Sequence, residues 1–248
     1  MRAQLRAELA KQRSTRTGLG LFATMLALVA LAILLHALAL PAHDLAGRDH
    51  QLTVLGRGEL LGVLFAALFG AVSITAEYRH GTIRPTLLAM PRRGRIVSAK
   101  LAASALIGGA FGLAGCALAA AIGSAVLRAR GIEIRLDAGD YVLLVAGGAV
   151  AGGLWAPIGV GVGAVIRNQL PALIGICAWL LFVEELLVGD VASVTKVGRF
   201  APGAAAAAIT GQQPGALLAP AVGLALLFAY ASVAAVAGSL ATTRRDVN

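Results

Sequence analysis

The chain has 248 residues, 58% of them hydrophobic and 13% charged, and carries a net charge of +9. A soluble domain of this length holds about 25% charged residues, so this composition, with a mean hydropathy of +0.84, leaves only the membrane class. The positive charge does not point to nucleic acid, because the basic residues gather at the ends of apolar runs rather than along one soluble face.

Residues 1–17 place Leu5 and Leu9 at i, i+4, with Arg2, Arg6 and Arg13 on other faces. Two readings stand: a short basic amphipathic helix in the cytoplasmic interface, or an unstructured positive flank that only orients the first span. A span needs about 20 apolar residues to cross about 30 Å of hydrocarbon. Six runs meet that length, at 18–40, 60–76, 96–127, 141–166, 170–188 and 216–241. The first is a full span without a small-residue cleavage site after it, so no cleavable signal peptide is expected. The predicted fold is all-α: a polytopic membrane protein with six transmembrane helices over 18–241, an interfacial segment 1–17 and a tail 242–248.

Within the spans, Gly108 and Gly112, Gly148 and Gly152, and Gly159 and Gly163 form small-xxx-small pairs. Lipid gives apolar helices no hydrophobic reason to associate, so close backbone approach at such glycines must supply the packing. The Gly and Ala content also fits a high-GC bacterial genome. Pro157 predicts a kink in the fourth span. Only Arg167, Asn168 and Gln169 separate the fourth span from the fifth, with Pro171 suited to a first helical turn. Cys116 and Cys177 lie in apolar runs without ligand-type neighbours and read as small buried hydrophobes.

Between the second and third spans lies Thr75–Lys100, TAEYRHGTIRPTLLAMPRRGRIVSAK. It holds Arg79, His80, Arg84, Arg92, Arg93, Arg95 and Lys100, with Glu77 its only acid. One Arg or Lys at the bilayer centre costs about 2.5–3.5 kcal/mol, so the cluster is expected in water. Gly81, Pro85, Pro91 and Gly94 divide it into short pieces. If the N-terminus is inside, fourteen of the 21 Lys and Arg fall on the inner side and seven outside. That bias predicts both termini in the cytoplasm of a multi-pass cell-membrane protein.

Catalytic signatures are missing. No GxxxxGK[ST], HExxH or GxSxG occurs, and His36, His43, His50 and His80 are scattered. Neither a metal nor a cofactor is expected on this chain. Glu184-Glu185 resembles the paired glutamates that open the motif of CPBP intramembrane proteases, but the Arg that motif needs four positions on is Val188 here. The two acids are expected to reach water or a neighbouring helix end. An intramembrane enzyme centred on them is one alternative function. A secondary transporter driven by an ion gradient is another, though the inverted repeat such transporters usually carry is not evident.

Glu77-Tyr78-Arg79-His80-Gly81-Thr82-Ile83, then Thr86-Leu87-Leu88, Pro91, Arg93 and Ala99-Lys100, resembles the pattern E-(Y/F)-R-x-G-T-(I/L) followed by L, P, R and a Lys opening the third span in ABC-2 type transporter permeases. The resemblance implies a permease subunit without an ATPase of its own. A separate nucleotide-binding subunit, carrying ATP and Mg, would dock on a coupling helix in loop 77–95. Its coupling residues would be Glu77, Arg79, Gly81, Thr82, Arg84, Thr86, Leu87, Leu88, Pro91 and Arg93. The resemblance also implies a second permease copy or a paralogue as partner, and an N-terminal interfacial helix over 1–17. Short helices would re-enter the membrane within the outer loop 189–215. Physically, Gly81 and Pro85 bound a turn, Thr82 or Thr86 can cap a short helix, and Leu87, Leu88 and Met90 offer an apolar knob in a basic rim. Glu77 is expected to pair with Arg79 or with an arginine of the partner. The few polar groups in the spans point to a hydrophobic or amphipathic substrate, a lipid, drug or peptide antibiotic, exported outward.

Overall fold

Every element in the computed structural model, which describes residues 2–13, 15–81, 93–188, 197–213 and 216–244, is helical. Among the described residues six helical stretches are long and apolar enough to cross a membrane, and the chain is a multi-pass membrane protein. Helix α1 (Arg2–Arg13) precedes the first span, α2 (Arg16–Ala39). Thr15 separates them and starts α2 by accepting the Gly18 backbone N–H at 3.3 Å. Next come α3 (Arg48–Leu55) and α4 (Arg57–Arg79), then α5 (Arg93–Ala129) and α6 (Ala138–Ile166).

The fifth span is α7 (Gln169–Ala178), a π-turn over Trp179–Val183, and α8 (Glu184–Val188). A short helix, α9 (Pro202–Ile209), leads to the last span, α10 (Pro220–Arg244).

Helices α4 and α6 form the centre of the bundle. In their most apolar windows 72% and 61% of residues are buried, against 17–33% in the other four spans. Helix α6 packs on α5, α4 and α10, and α2 packs on α5 and α4. Leu19, Phe182 and Val233 are exposed on the outer spans, as side chains bathed in lipid would be. Glycine makes the central contacts possible. A methyl on Gly112 would overlap the Gly148 carbonyl oxygen, and one on Gly159 would overlap the Ala67 carbonyl oxygen. Helix α6 runs unbroken through Pro157.

Three boundaries differ from the sequence reading. The second span does not begin at 60: α3 and α4 follow each other through Gly56 alone, giving an apolar stretch of 32 residues from Arg48. Asp49, Arg57 and Glu59 interrupt the apolar pattern there, which hides the continuity. The third span covers 37 residues, about 55 Å at about 1.5 Å per residue, well beyond the hydrocarbon thickness. The sixth starts at Pro220 rather than 216, with proline in the first helical position, where its missing N–H costs nothing. Of the tail, residues 242–244 continue α10, and 245–248 lie outside the described residues.

Candidate functional site

Both ends of the basic segment converge on one buried group of charges. Glu77, in the last turn of α4, accepts a hydrogen bond from Lys100 Nζ of α5 at 3.0 Å. The same ammonium bonds Glu8 of α1 at 2.5 Å, and Lys11 of α1 donates to Glu77. Lys100 and Glu77 are almost fully buried, while Lys11 is half exposed. Gln12, also buried on α1, donates to Glu8 at 3.1 Å and to Ser104 of α5 at 3.4 Å. Four alternating charges therefore join α1, α4 and α5, and each buried charge has an opposite neighbour, as burial demands.

Burial alone would raise the Glu8 carboxyl, but Lys100 and Lys11 outweigh it and hold it below its ordinary 4.5. Burial likewise opposes the Lys11 charge, yet the Glu77 carboxylate and then Glu8 hold its ammonium above the ordinary 10.5.

Two expectations change here. Glu77 pairs with Lys11 and Lys100, whereas Arg79 is exposed with His80 Nε2 as its neighbour at 3.4 Å. Lys100 does not sit in water with the loop but lies inside α5, seven residues from its start. The physical reason is the second carboxylate: with Glu8 and Glu77 both in reach, a buried ammonium is better solvated by protein than an isolated one would be. Nothing local in the sequence places Glu8 beside Lys100, 92 positions away. The i, i+4 relation of Glu8 and Gln12 on a polar face of α1 was the available signal.

Next to Glu77, Tyr78 faces the other side of the bundle. Its ring lies under the Arg167 guanidinium, 5.4 Å from the centroid, and its hydroxyl is 3.4 Å from Thr242 Oγ1 of α10. Arg167 ends α6 in the left-handed region (φ 59°) and donates to the Ala241 carbonyl at 2.7 Å. Glu77 and Tyr78 together tie the end of α4 to α1, α5, α6 and α10.

Of the predicted coupling residues, Glu77, Arg79 and Gly81 are described, with Gly81 closing α4 at a φ of 66° that favours glycine. Arg93 is the first residue of α5. Thr82, Arg84, Thr86, Leu87, Leu88 and Pro91 lie outside the described residues. The packing glycines are placed in pairs: Gly108 and Gly112 of α5 face Gly152 and Gly148 of α6, while Gly159 and Gly163 of α6 face Ala67 and Ala71 of α4.

The opposite end of the bundle carries the other buried acids. Glu184 accepts hydrogen bonds from the Gly203 N–H at 2.9 Å, the Ala204 N–H at 3.1 Å and the Trp179 indole N–H. It thereby supplies the donors at the start of α9 with a carboxylate. Glu185 is exposed. Helix α9 is largely buried against α10 and α6. In loop 189–215, residues 189–196 and 214–215 lie outside the described residues. Among the described residues no group of three or more His, Cys, Asp or Glu could hold a metal ion.

The sequence matches no model of a known protein family and no curated protein.

Proposed function

We propose that the chain is the membrane-spanning permease subunit of an ATP-driven ABC-2 type exporter, working with a separate ATPase. The observation that carries this reading is the Glu77–Lys100 ion pair. It fastens the last turn of α4 to the first part of α5, the two helices that flank the basic segment, at one point. A force on that segment reaches α4 and α5 directly, α1 through Glu8 and Lys11, and α6 and α10 through Tyr78 and Arg167. Central helices α4 and α6 then move as packed rigid bodies, the kind of motion that alternates access across a bilayer.

In this reading both termini and the basic segment are cytoplasmic, α1 lies in the interface, and the ATPase with its ATP and Mg docks on Arg84, Leu87 and Leu88. A second copy of the chain or a paralogue completes the pathway. The substrate is hydrophobic or amphipathic and leaves the cell. Glu184 spends both carboxylate oxygens on capping α9, which favours a structural role over a catalytic one.

The test is co-purification. The reading expects an ATPase gene next to the one that encodes this chain, and the wild-type chain, expressed with that ATPase, should retain it in detergent. Arg84→Glu with Leu88→Asp should lose it while the permease still folds. Retention by the double variant, or transport by the chain unaided, would overturn the reading.

A further inference from the structure

Under the elbow between α1 and α2, beside the buried charges, lies a cavity of about 340 Å³. It is more than twice the roughly 150 Å³ that holds a benzene ring in an engineered core. Arg79, the last residue of α4, borders it, as do Thr17 and Gln169 at the starts of α2 and α7. Three of the membrane spans begin or end at this level, so the cavity lies where lipid headgroups meet water.

Its cationic groups are accessible: Arg79 and His80 are exposed, and Lys11 is half exposed. The acids at its border, Glu8 and Glu77, are matched by Lys100 and Lys11, so those four charges cancel. Among the described residues bordering the cavity, Arg79 is then one positive charge in excess. The starts of α2 and α7 add partial positive charge of the same sign. On α4, Phe69, Val72 and Ala76 give the cavity an apolar wall. A second cavity of about 580 Å³, lined by Leu19, Phe22, Leu106 and Phe111, shares Gln12, Gly18 and Phe69 with the first. Leu19 and Leu106 are 64% and 59% exposed, so this apolar space is open to lipid. Polar and apolar space thus meet at the elbow.

One excess positive charge at headgroup level, next to apolar space, calls for a headgroup with one negative charge and an acyl chain. We propose that the elbow binds an anionic phospholipid of the phosphatidylglycerol kind, its phosphate on Arg79 and Lys11 and a chain along Phe69 and Phe22. A zwitterionic lipid brings no net charge to match Arg79, and a free phosphate has nothing to lay on the apolar wall. The bound lipid joins α1 to α4 beside the Glu77 pair and ties the elbow to the composition of the bilayer. The site does not rest on the permease reading.

Titration calorimetry on the purified full chain in a neutral detergent, without any ATPase, tests it. The probes are dioctanoyl-phosphatidylglycerol, dioctanoyl-phosphatidylcholine and glycerophosphoglycerol. Phosphatidylglycerol should bind saturably and about fivefold or more tighter than phosphatidylcholine, the factor that one basic side chain contributes toward an anionic lipid. Glycerophosphoglycerol, the same headgroup without chains, should bind far more weakly. Arg79→Gln and Lys11→Gln should each weaken phosphatidylglycerol about fivefold. Arg6→Gln, exposed on α1 outside the cavity, should leave its affinity unchanged. Should a variant fail to fold, the three probes on the wild-type chain still decide. Equal affinity for the two lipids, no binding, or equal losses in Arg6→Gln and Arg79→Gln overturns the proposal. A chainless headgroup that binds as tightly as the lipid overturns it too, and makes the occupant a soluble phosphodiester. ATPase co-purification is read separately, so failure of one claim leaves the other in place.

Discussion

Lys100 and Lys11 touch the same carboxylate, yet they should respond very differently to removal. Lys100 is buried, so Lys100→Met leaves Glu8 and Glu77 facing each other without their shared cation. Breaking a buried pair in this way costs about 3–5 kcal/mol. Lys11 is half exposed, and water screens its loss to about 1 kcal/mol or less. Thermal unfolding in detergent should show a large drop for Lys100→Met and a small one for Lys11→Met, and Glu77→Gln added to Lys100→Met should recover part of the loss. The junction also predicts how α1 responds to pH. Glu8 has its folded value below 4.5, so its contribution is complete above 4.5 and fades as pH falls through the lower value. Lys11 has its folded value above 10.5, so its contribution is complete below 10.5 and fades as pH rises past it. The protection factors of the residue 2–13 amides, measured exchange corrected for the intrinsic rate at each pH, should thus be flat between 4.5 and 10.5 and fall below that window before those of the rest of the bundle do. An α1 that loosens near neutrality would contradict the assigned partners.

Helix pairs separate the glycines that the packing needs from those that merely occupy a helix. Gly112 has no room for a methyl because the Gly148 carbonyl fills the space, whereas Gly175 in α7 has no atom within 4 Å of where a Cβ would stand. Replacing a helical glycine by alanine favours the helix by about 0.8–1 kcal/mol when nothing clashes. Gly175→Ala should therefore leave the melting temperature unchanged or raise it, and Gly112→Ala should lower it by forcing α5 and α6 apart. Equal effects of the two would mean that the α5–α6 seam is looser than its geometry. This seam was legible in the sequence, because small-xxx-small spacing is a property of one helix and survives without knowledge of its neighbour. The partner choice was not legible: Gly159 and Gly163 carry the same pattern yet pack on α4 alanines. Helix α3 was missed for the opposite reason. Asp49 and Glu59 are polar in sequence but find Arg48 and Gln212 in space, so a hydropathy window cuts the span short.

For the molecule as a whole, orientation decides whether the junction faces the compartment proposed for it. The basic residues were counted fourteen to seven in favour of the α1 side, and Lys100, being buried, belongs to neither compartment. Thirteen to seven still favours α1 in the cytoplasm, since the remaining arginines of the basic segment and the N-terminus dominate the difference. Up-and-down threading puts the ends of α4, α6 and α10 on that same side and leaves α9 on the other. Single cysteines in a Cys116→Ser, Cys177→Ser background make this measurable in intact cells with a membrane-impermeant maleimide. Arg199→Cys should label from outside, whereas Arg6→Cys and Arg84→Cys should label only after the membrane is broken. Because all six spans share one threading, a reversed result at any of these positions would invert them all. An ATPase could then not reach the segment between Glu77 and Lys100, and the buried charges there would have to serve something other than a power stroke from the cytoplasm.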